Sequence, residues 1–357
     1  MSNIGVAKEI KIMEGRVALI PAACAELVAA GHALFVQQNA GLLSGYDDVA
    51  YRQAGAVVVA DAAKLYQRAE LIVKVKEPVT EDLRHLKAHH RLFCYLHLAA
   101  LPKLAAELQA IGATAIAFET VEEAGGALPL LAPMSQIAGK IAVQSGVHLL
   151  HQPMGGSGLL LGGVAGTPRG KVVVLGAGQA GSSAVELAAA LGAEVTVFDR
   201  LPARLEAMRL FGHNVSPRYA YAADIAAAVA EADLLIGAVL LAGRRAPRIV
   251  SDADIKTMQK GSVVVDISVD QGGCIETTHA TTYQDPTYLC HDVLHFAVSN
   301  MPGAVPQTAS QALSAAITPY VTQLADDGWM QNNGLQRAVN IAAGEVIHPS
   351  LRLDLCP

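Results

Sequence analysis

Short apolar runs alternate with helical patterns through the first third of the chain. One helical pattern begins at Pro21 and is ended by Gly31, and another lies near Ala62 to Ala69. Proline suits the first turn of a helix, and glycine suits the position just past its end. The apolar runs are IGVA, ALFVQQ, AVVVA, LIVKVK, RLFCYL and ATAIAF. This alternation predicts a parallel sheet with crossover helices.

A second and clearer alternation follows a glycine-rich stretch over residues 155–171. Its strand patterns are KVVVLG, EVTVFD, DLLIGAVL and SVVVDIS, with helical patterns over residues 180–191 and around Arg204. A long helical pattern then runs from Pro306 to about Leu324, and an amphipathic segment follows near residues 335–343. We expect this helical tail to pack back on the first domain.

Length and composition indicate two globular domains. A chain of 357 residues exceeds what one hydrophobic core usually supports. Hydrophobic residues make up 52% of the chain and charged residues 16%, which excludes a disordered protein. The 32 glycines suit helices packed closely on buried parallel strands.

The charge pattern excludes several classes of partner. A formal net charge of −6 provides no basic field for a phosphate backbone, so we expect no nucleic-acid partner. The N-terminal segment MSNIGVAKEIKIMEGR carries charges where a signal peptide has its apolar stretch. No uncharged apolar run of membrane-spanning length appears elsewhere. We therefore expect a cytoplasmic protein with no membrane partner.

The cysteine and histidine spacings indicate neither disulfides nor a metal site. The five cysteines are far apart and form no C-x-x-C pair, which predicts reduced thiols at Cys24, Cys94, Cys274, Cys290 and Cys356. The pairs His291/His295 and His85/His89 have helical i, i+4 spacing. Because both lack the H-E-x-x-H pattern and a neighbouring carboxylate cluster, we expect no metal.

A glycine motif directly follows the strand pattern KVVVL and opens a helix of small residues. The motif is Gly176-Ala177-Gly178-Gln179-Ala180-Gly181. Gly176 permits a tight turn, Gly178 lets the backbone approach a pyrophosphate, and Gly181 lets the helix pack closely on the strand. The helix N-terminus offers unpaired N–H donors to the anion. Glycines also serve simply as turns, but a strand before and a helix after the motif favour a dinucleotide site.

Asp199 ends the next strand pattern, EVTVFD, 23 residues after Gly176. A carboxylate at this position can accept hydrogen bonds from both ribose hydroxyls and repels a 2′-phosphate, which favours NAD over NADP. Two alternatives stay open. Asp199 can serve as a helix cap or turn residue, and the neighbouring Arg200 can accommodate a phosphate.

Polar groups follow three further strand patterns. LIVKV leads to Lys76, RLFCYL leads to His97, and VVVDIS leads to Asp270. Ligands of open α/β sheets bind outside the carboxyl ends of the strands, so these residues are candidates for a cleft between two domains. Each also has an ordinary structural interpretation: a solvated strand end, a buried histidine and a turn residue. Periodicity alone does not join them.

Ten blocks of sequence resemble the alanine dehydrogenase and transhydrogenase family. They are IGVAKEIK, GRVALIP, ELIVKVKEP, CYLHLA, LLAPMSQIAGK, LLLGGV, VVVLGAGQAG, IGAVLLAGRRAPRIV, VVVDISVDQGGC and SNMPGAVPQTAS. The blocks run in order from residue 4 and cover most of the chain, which is more specific than any single motif.

The resemblance implies an α/β fold of two doubly wound, Rossmann-like domains with a cleft between them. The NAD-binding domain, residues 131–304, would be inserted into a discontinuous catalytic domain made of residues 1–130 and 305–357. Relatives are commonly homohexamers, so we expect a homo-oligomer.

The resemblance also implies residue roles. Arg16 and Lys76 would hold the substrate carboxylate. His97 would act as general acid and base, and Asp270 would orient the reacting water or amine and assist proton transfer. Beside Asp199 and the motif residues Gly176, Gly178, Gln179, Ala180 and Gly181, the implied cofactor contacts are Ser135, Arg204, Val239, Leu240, Ile267, Asp270, Asn300 and Met301.

The implied reaction is the NAD-dependent oxidative deamination of L-alanine to pyruvate and ammonium, and its reverse. The Cα hydride passes to the nicotinamide, and water then adds to the iminium with His97 as base.

Several positions depart from the family pattern, and alternative functions stay open. Gln136 and Lys140 stand where relatives commonly have Glu and Arg, and His279 stands where they have a basic residue near the adenosine. A cofactor-contacting serine is absent around Ala220. The alternatives are a dehydrogenase for another amino or imino acid, such as a saccharopine-type enzyme, a transhydrogenase α subunit, and a nucleotide-binding regulator without catalysis.

Overall fold

A computed structural model describes residues 1–239, 246–326 and 328–355. The chain forms two compact units. The first unit comprises Met1–Met134 with Gly303–Pro357, and the second comprises Ser135–Pro302. In the part of the chain that is described, no helix has both the length and the hydropathy needed to cross a membrane.

The described residues include the following strands. They are β1 (Asn3–Val6), β2 (Ala33–Gln37), β3 (Val57–Val59), β4 (Leu71–Val73), β5 (Arg91–Cys94), β6 (Thr114–Ala117), β7 (Lys171–Leu175), β8 (Glu194–Asp199), β9 (Val215–Tyr219), β10 (Leu234–Gly237), β11 (Val263–Asp266), β12 (Thr287–Cys290), β13 (Val293–Phe296), β14 (Val339–Ala342) and β15 (Glu345–Val346).

The α-helices are joined to these strands by loops and short 3₁₀ turns. They are α1 (Pro21–Ala29), α2 (Asp48–Gln53), α3 (Ala62–Arg68), α4 (Thr80–Leu83), α5 (Pro102–Ile111), α6 (Ala132–Leu149), α7 (Gln179–Ala190), α8 (Pro202–Met208), α9 (Ala222–Ala230), α10 (Asp252–Ile255), α11 (Pro306–Leu324), α12 (Asn333–Arg337) and α13 (Pro349–Leu355).

The first unit is built on an eight-stranded sheet with the order β15-β14-β6-β5-β4-β1-β2-β3. Strands β1 to β6 are parallel, and β14 adds to the edge of β6 in the antiparallel direction. Read from β3, the parallel strands follow the doubly wound order 3-2-1-4-5-6. The order reverses between β1 and β4, so the carboxyl ends of these two strands form the switch point where such sheets bind ligands.

The second unit repeats this topology in a seven-stranded sheet with the order β12-β13-β11-β10-β7-β8-β9. Six strands are parallel, and β12 closes one edge antiparallel to β13. The switch point lies between β7 and β10. The central strands are continuous apolar runs, such as VVVD in β11, because helices cover both faces of a parallel sheet.

The predicted α/β fold is confirmed, and most predicted elements have counterparts. The helix expected from Pro306 spans Pro306–Leu324. The strand predicted over LIVKV ends earlier, at Val73, although the Val75 carbonyl still accepts a hydrogen bond from the Tyr95 N–H at 3.0 Å. Lys76 therefore lies in a loop beyond the strand.

The prediction of a helical segment over residues 335–343 is wrong for most of its length. Helix α12 ends at Arg337, and residues 339–342 form strand β14. Val339 and Ile341 pair with β6, which offers an unpaired edge. Positive φ angles at Ala343 (49°) and Gly344 (82°) then turn the chain into β15.

The sequence patterns do not predict several of the described elements. Helix α6 was not identified within the long apolar stretch that precedes the glycine-rich loop. Strand β9 is a polar edge strand with Pro217 in its centre, and proline in a sheet is confined to such edges. The hairpin of β12 and β13 also went unrecognised.

A buried charge cluster lies directly beyond β4. The side chain of Lys74 is 1% exposed, and its Nζ lies 3.5 Å from Glu9 Oε2 and 3.2 Å from Asp82 Oδ2. Tyr66 donates a 3.1 Å hydrogen bond to the other oxygen of Asp82. Burial lowers the pKa of Lys74, but attraction to Glu9 and Asp82 outweighs it and leaves the pKa raised. Lys74 is thus held as a cation between two carboxylates.

Replacing Lys74 by methionine should destabilise the first unit strongly. The change keeps the length of the side chain but leaves Glu9 and Asp82 as buried carboxylates without their cation, which typically costs about 3–5 kcal/mol. Urea unfolding followed by circular dichroism measures the loss. Lys64→Met, on the exposed face of α3, should stay within about 0.5 kcal/mol of wild type. Equal midpoints for the two variants would contradict the assigned cluster.

Candidate active site

The glycine motif forms the turn from β7 into α7 at the switch point of the second unit. Gly176 has a φ of 96°, and a Cβ there would lie 2.6 Å from the carbonyl oxygen of Ala238 at the end of β10. A methyl group at Gly181 would overlap the carbonyl oxygen of Gly176. The motif is therefore a cradle of bare backbone at the N-terminus of α7, which is the arrangement that receives a pyrophosphate.

Asp199 connects the end of β8 to this cradle. Its Oδ2 accepts a 2.8 Å hydrogen bond from the Ala177 N–H, and its Oδ1 accepts one of 2.8 Å from the Leu201 N–H. Arg204 Nη1 lies 3.7 Å from Oδ2. Each carboxylate oxygen has a second lone pair, so these contacts orient the group without exhausting its capacity to accept hydrogen bonds.

The segment after β11 forms a second polar cluster in this unit. Asp266 is fully buried, and its carboxylate accepts hydrogen bonds from the Ser268 N–H (2.9 Å), the Cys274 N–H (2.9 Å) and the Thr278 hydroxyl (2.7 Å). Burial raises the pKa of Asp266 against these hydrogen bonds. Asp270 is exposed at the end of the turn that Asp266 holds, and Asn300 donates its N–H to Asp270 Oδ2 at 3.3 Å.

The remaining predicted cofactor residues lie at several points of the same unit. Ser135 is on the first turn of α6, and Ile267 follows β11 directly. The carbonyl of Val239, just beyond β10, accepts a 2.8 Å hydrogen bond from Ser268 Oγ, and Tyr283 donates to the Met301 carbonyl at 2.9 Å. Leu240 lies outside the described residues.

Two positions that depart from the family pattern connect α6 to α7. Gln136 Nε2 donates to Gln179 Oε1 at 3.1 Å, and Lys140 Nζ lies 2.7 Å from Glu186 Oε2. The two helices approach closely because α6 has a glycine at position 139, where a Cβ would overlap the Ala180 carbonyl oxygen. Gln136 and Lys140 thus connect α6 to α7 through their side chains.

In the first unit, Arg16 is paired with the carboxylate of Glu14, which no sequence motif indicates. Arg16 is 2% exposed, and its Nε and Nη2 donate to the two oxygens of Glu14 at 2.7 and 2.6 Å. Nη1 lies 3.2 Å from the sulfur of Met134. Burial lowers the pKa of Arg16, but the bond to Glu14 reverses this and leaves the pKa raised. The planar guanidinium is fixed in orientation by this two-point contact.

Lys76 lies in the loop beyond β4 and is partly exposed. Its backbone N–H faces Glu9 Oε1 at 3.4 Å, and the Val75 N–H donates to the same oxygen at 2.7 Å. Within the described part of the chain, no side chain forms a hydrogen bond or ion pair with Lys76 Nζ. Its ammonium group is available to a ligand.

His97 stands in a strained loop that a glutamate holds. Its φ of 48° and ψ of 38° lie in the left-handed region, which non-glycine residues seldom adopt. Glu119 Oε1 accepts the His97 backbone N–H at 2.6 Å and lies 3.8 Å from Nδ1 of the imidazole. The ring is parallel to that of Tyr95, with 5.9 Å between centroids, and its side chain is 42% exposed. The imidazole is oriented and still accessible.

Shared neighbours connect the three candidate residues of the first unit. Tyr95 stacks on His97 and also interacts electrostatically with Arg16. Glu9 contacts the backbone of Lys76 and interacts electrostatically with Arg16. Tyr95 is thus a common neighbour of Arg16 and His97, and Glu9 acts on both Arg16 and Lys76.

An open cavity of about 940 Å³ lies elsewhere in the first unit. Its lining includes Glu123, Tyr320 and Arg337 but none of the candidate residues Arg16, Lys76 and His97. The candidate site is therefore defined by the chemistry of its side chains and not by the volume of a cavity.

Comparisons with known proteins agree over nearly the whole chain. The family models described as alanine dehydrogenase/PNT, N-terminal and C-terminal domain, match residues 5–138 and 142–349. The chain is 46% identical to the alanine dehydrogenase of Bacillus subtilis, over 99% of this chain and 94% of that protein. It is also 46% identical to the alanine dehydrogenase of Halomonas elongata, over 97% and 93%.

Solved structures give the same result. A structure named L-alanine dehydrogenase matches with a TM-score of 0.95 at 47% identity, covering 99% of this chain and 98% of that one. The transhydrogenase from Sinorhizobium meliloti matches with a TM-score of 0.83 at 27% identity, covering 98% and 99%.

Gly181→Ala should damage the cradle of the second unit. The new methyl group meets a backbone oxygen rather than a flexible side chain, so the loop must move, and overpacking of this kind costs about 1–3 kcal/mol. Urea unfolding and titration with a dinucleotide measure stability and binding. Ala190→Ser, at the exposed end of the same helix, serves as control. A Gly181→Ala protein with wild-type stability and dinucleotide affinity would refute the cradle.

Proposed function

Because the chain belongs to the alanine dehydrogenase/PNT family, we propose that it catalyses the NAD-dependent interconversion of L-alanine with pyruvate and ammonium. The observation that carries this proposal is the group of Arg16, Lys76 and His97 in the first unit, each held by a carboxylate-bearing neighbour. A regulator that only bound nucleotide would need no such group.

The residues of the second unit fit a dinucleotide. The backbone cradle at Gly176–Gly181 matches a pyrophosphate, and Asp199, fixed beside it, suits a ribose diol. When bound, NAD supplies the acceptor for the substrate hydride at its nicotinamide ring. The negative charge of Asp199 disfavours a 2′-phosphate, although Arg204 at 3.7 Å offsets part of that repulsion. We therefore propose NAD as the preferred cofactor.

The remaining cofactor contacts that we propose lie within this cradle or in other parts of the second unit's sequence. They are Ser135, Gln179, Ala180, Val239, Leu240, Ile267, Asp270, Asn300 and Met301.

Lys76 supplies the net positive charge for the substrate carboxylate. Arg16 is paired with Glu14, so the two side chains together carry almost no net charge. Arg16 therefore contributes directional N–H donors rather than a positive electrostatic potential. The Lys76 ammonium adds an uncompensated cation at the switch point of the sheet. Together the two residues would fix the carboxylate and so orient the Cα hydrogen.

His97 transfers the protons. A left-handed backbone presents the imidazole outward, and the Glu119 carboxylate, 3.8 Å from Nδ1, orients the ring that takes a proton from water. Asp270, exposed and fixed by the Asn300 N–H, would assist this step by accepting a hydrogen bond from the water or amine.

The oligomeric state and the compartment follow from the family alone. We propose a homohexamer that works in the cytoplasm, and mass photometry of the purified chain tests the first statement. A stable monomer would reject it.

The function is tested by measuring reduced nicotinamide formation with a panel of L-amino acids and either NAD or NADP. We expect the highest kcat/KM for L-alanine with NAD. An optimum for another amino acid would reject the substrate, and a preference for NADP would reject the role of Asp199.

Replacing Lys76 by methionine should reduce kcat/KM for both alanine and pyruvate, because both substrates carry the same carboxylate. A charge-assisted hydrogen bond is worth about 1.5–3 kcal/mol, which corresponds to a loss of about 10- to 150-fold. Binding of NADH, measured by fluorescence titration, should hardly change. Lys103→Met, exposed on α5, is the matched control. Wild-type pyruvate kinetics in Lys76→Met would make Lys76 an ordinary solvated loop residue.

His97→Asn should remove most turnover while leaving the fold intact. Asparagine tolerates the left-handed backbone better than other non-glycine residues, so the variant tests the imidazole and not the loop conformation. Loss of general acid and base catalysis typically costs about 10²–10⁴-fold in kcat. NADH affinity should be retained. A parallel loss of NADH binding and turnover would argue that His97 acts on the cofactor and not in proton transfer.

A further inference from the structure

The turn between β12 and β13 places a thiol and an imidazole on one side of the chain. Successive residues of an extended strand point to opposite faces. Cys290 ends β12, but His291 and Asp292 in the turn have φ angles of 52° and 60°. This left-handed turn breaks the alternation, so the side chains of the neighbours Cys290 and His291 converge.

Asp252, the first residue of α10, completes the group. Its Oδ1 lies 2.6 Å from His291 Nε2. One ligand atom each from Asp252, Cys290 and His291 lies within 4.8 Å of the other two. Asp252 and His291 are 41% and 31% exposed in their side chains, so a solvated ion can reach them.

The donor set selects a soft or borderline cation. A thiolate, an imidazole and a carboxylate are the ligands of Zn²⁺, whereas Mg²⁺ and Ca²⁺ prefer oxygen alone. Tetrahedral bonds of about 2.0–2.3 Å hold ligand atoms about 3.5 Å apart, so closure requires side-chain rotations that move them by about 1 Å. Burial and Asp252 raise the pKa of Cys290, so the ion must also displace the thiol proton.

We propose that Asp252, Cys290 and His291 form a binding site for Zn²⁺ or a similar thiophilic divalent cation. Three protein ligands leave one coordination position for water. The ion would cross-link α10 to the hairpin of β12 and β13 and so stabilise the second unit. This site is separate from the residues of the proposed reaction.

One neighbour opposes the ion. Lys256 Nζ lies 2.6 Å from Asp252 Oδ2, the oxygen that does not face His291. The ammonium group leaves Oδ1 to the ion but repels its charge. Removing the Lys256 ammonium group should therefore tighten Zn²⁺ binding. Removing the Cys290 thiol should weaken it. A nonspecific surface site would not show both effects.

The site is tested with the full chain after a chelator has removed bound metal. Zn²⁺ affinity is then measured by competition with a chromophoric chelator. We expect one tight equivalent, and Cd²⁺ in its place should give a thiolate charge-transfer band. Cys290→Ser keeps the side-chain size, and His291→Asn suits the left-handed turn. Each should weaken binding at least about 100-fold, since even the loss of an outer-shell partner costs about 10- to 100-fold.

Lys256→Met should raise the affinity for Zn²⁺ relative to wild type. The controls are Cys356→Ser and His213→Asn, which remove a thiol and an imidazole from other positions and should leave binding unchanged. Metal-free thermal unfolding checks that each variant folds. If the wild-type protein binds no tight equivalent of Zn²⁺, the proposal is wrong. It is also wrong if the Cys290→Ser variant and the His291→Asn variant each still bind one tight equivalent.

Discussion

A buried charge requires a partner, and carboxylates meet this requirement around the candidate residues. In the first unit, Glu14 fixes Arg16 and Glu119 fixes the His97 loop, while Glu9 pairs with Lys74 and contacts the backbone beside Lys76. An unpaired ion would cost several kcal/mol at such depth. The candidate substrate residues are therefore presented by an electrostatic frame, and their geometry depends on it.

In the second unit, buried carboxylates accept hydrogen bonds from neutral donors in the same way. Asp199 accepts the Ala177 N–H inside the glycine motif, and Asp266 accepts several backbone N–H groups and the Thr278 hydroxyl, which hold the turn leading to Asp270. Glycines supply the complementary requirement, because Gly176 and Gly181 leave no space for a Cβ. The carboxylates hold the loops in place, and the glycines leave space beside the backbone for a ligand.

The fold class was predictable because both sheets are made of continuous apolar strands separated by helices, as in KVVVL and SVVVDIS. Elements without that contrast were missed. Strand β9 is polar, and β14 follows a helical segment that conceals its pairing with β6. The local pattern of apolar residues does not indicate which edge of a sheet is free to pair with a further strand.

The site was predictable only in part. The motif glycines and Asp199 follow from local spacing, whereas Arg16, Lys76 and His97 were joined by family resemblance. Glu119 was not predicted because it lies 22 residues from His97 and contacts it only across the fold. Glu14 lies only two residues from Arg16, so this short spacing was an available signal. For Glu119, the available signal was a carboxylate next to an apolar strand pattern, in the run AIAFE.

The central claim is that the chain moves a hydride from Cα of L-alanine to NAD. The most direct measurement uses L-alanine deuterated at Cα and follows the cofactor by mass spectrometry. We expect one deuterium in each reduced nicotinamide, because the hydride comes from the labelled Cα. Reduced cofactor without deuterium, or no reduction by alanine at all, would contradict it.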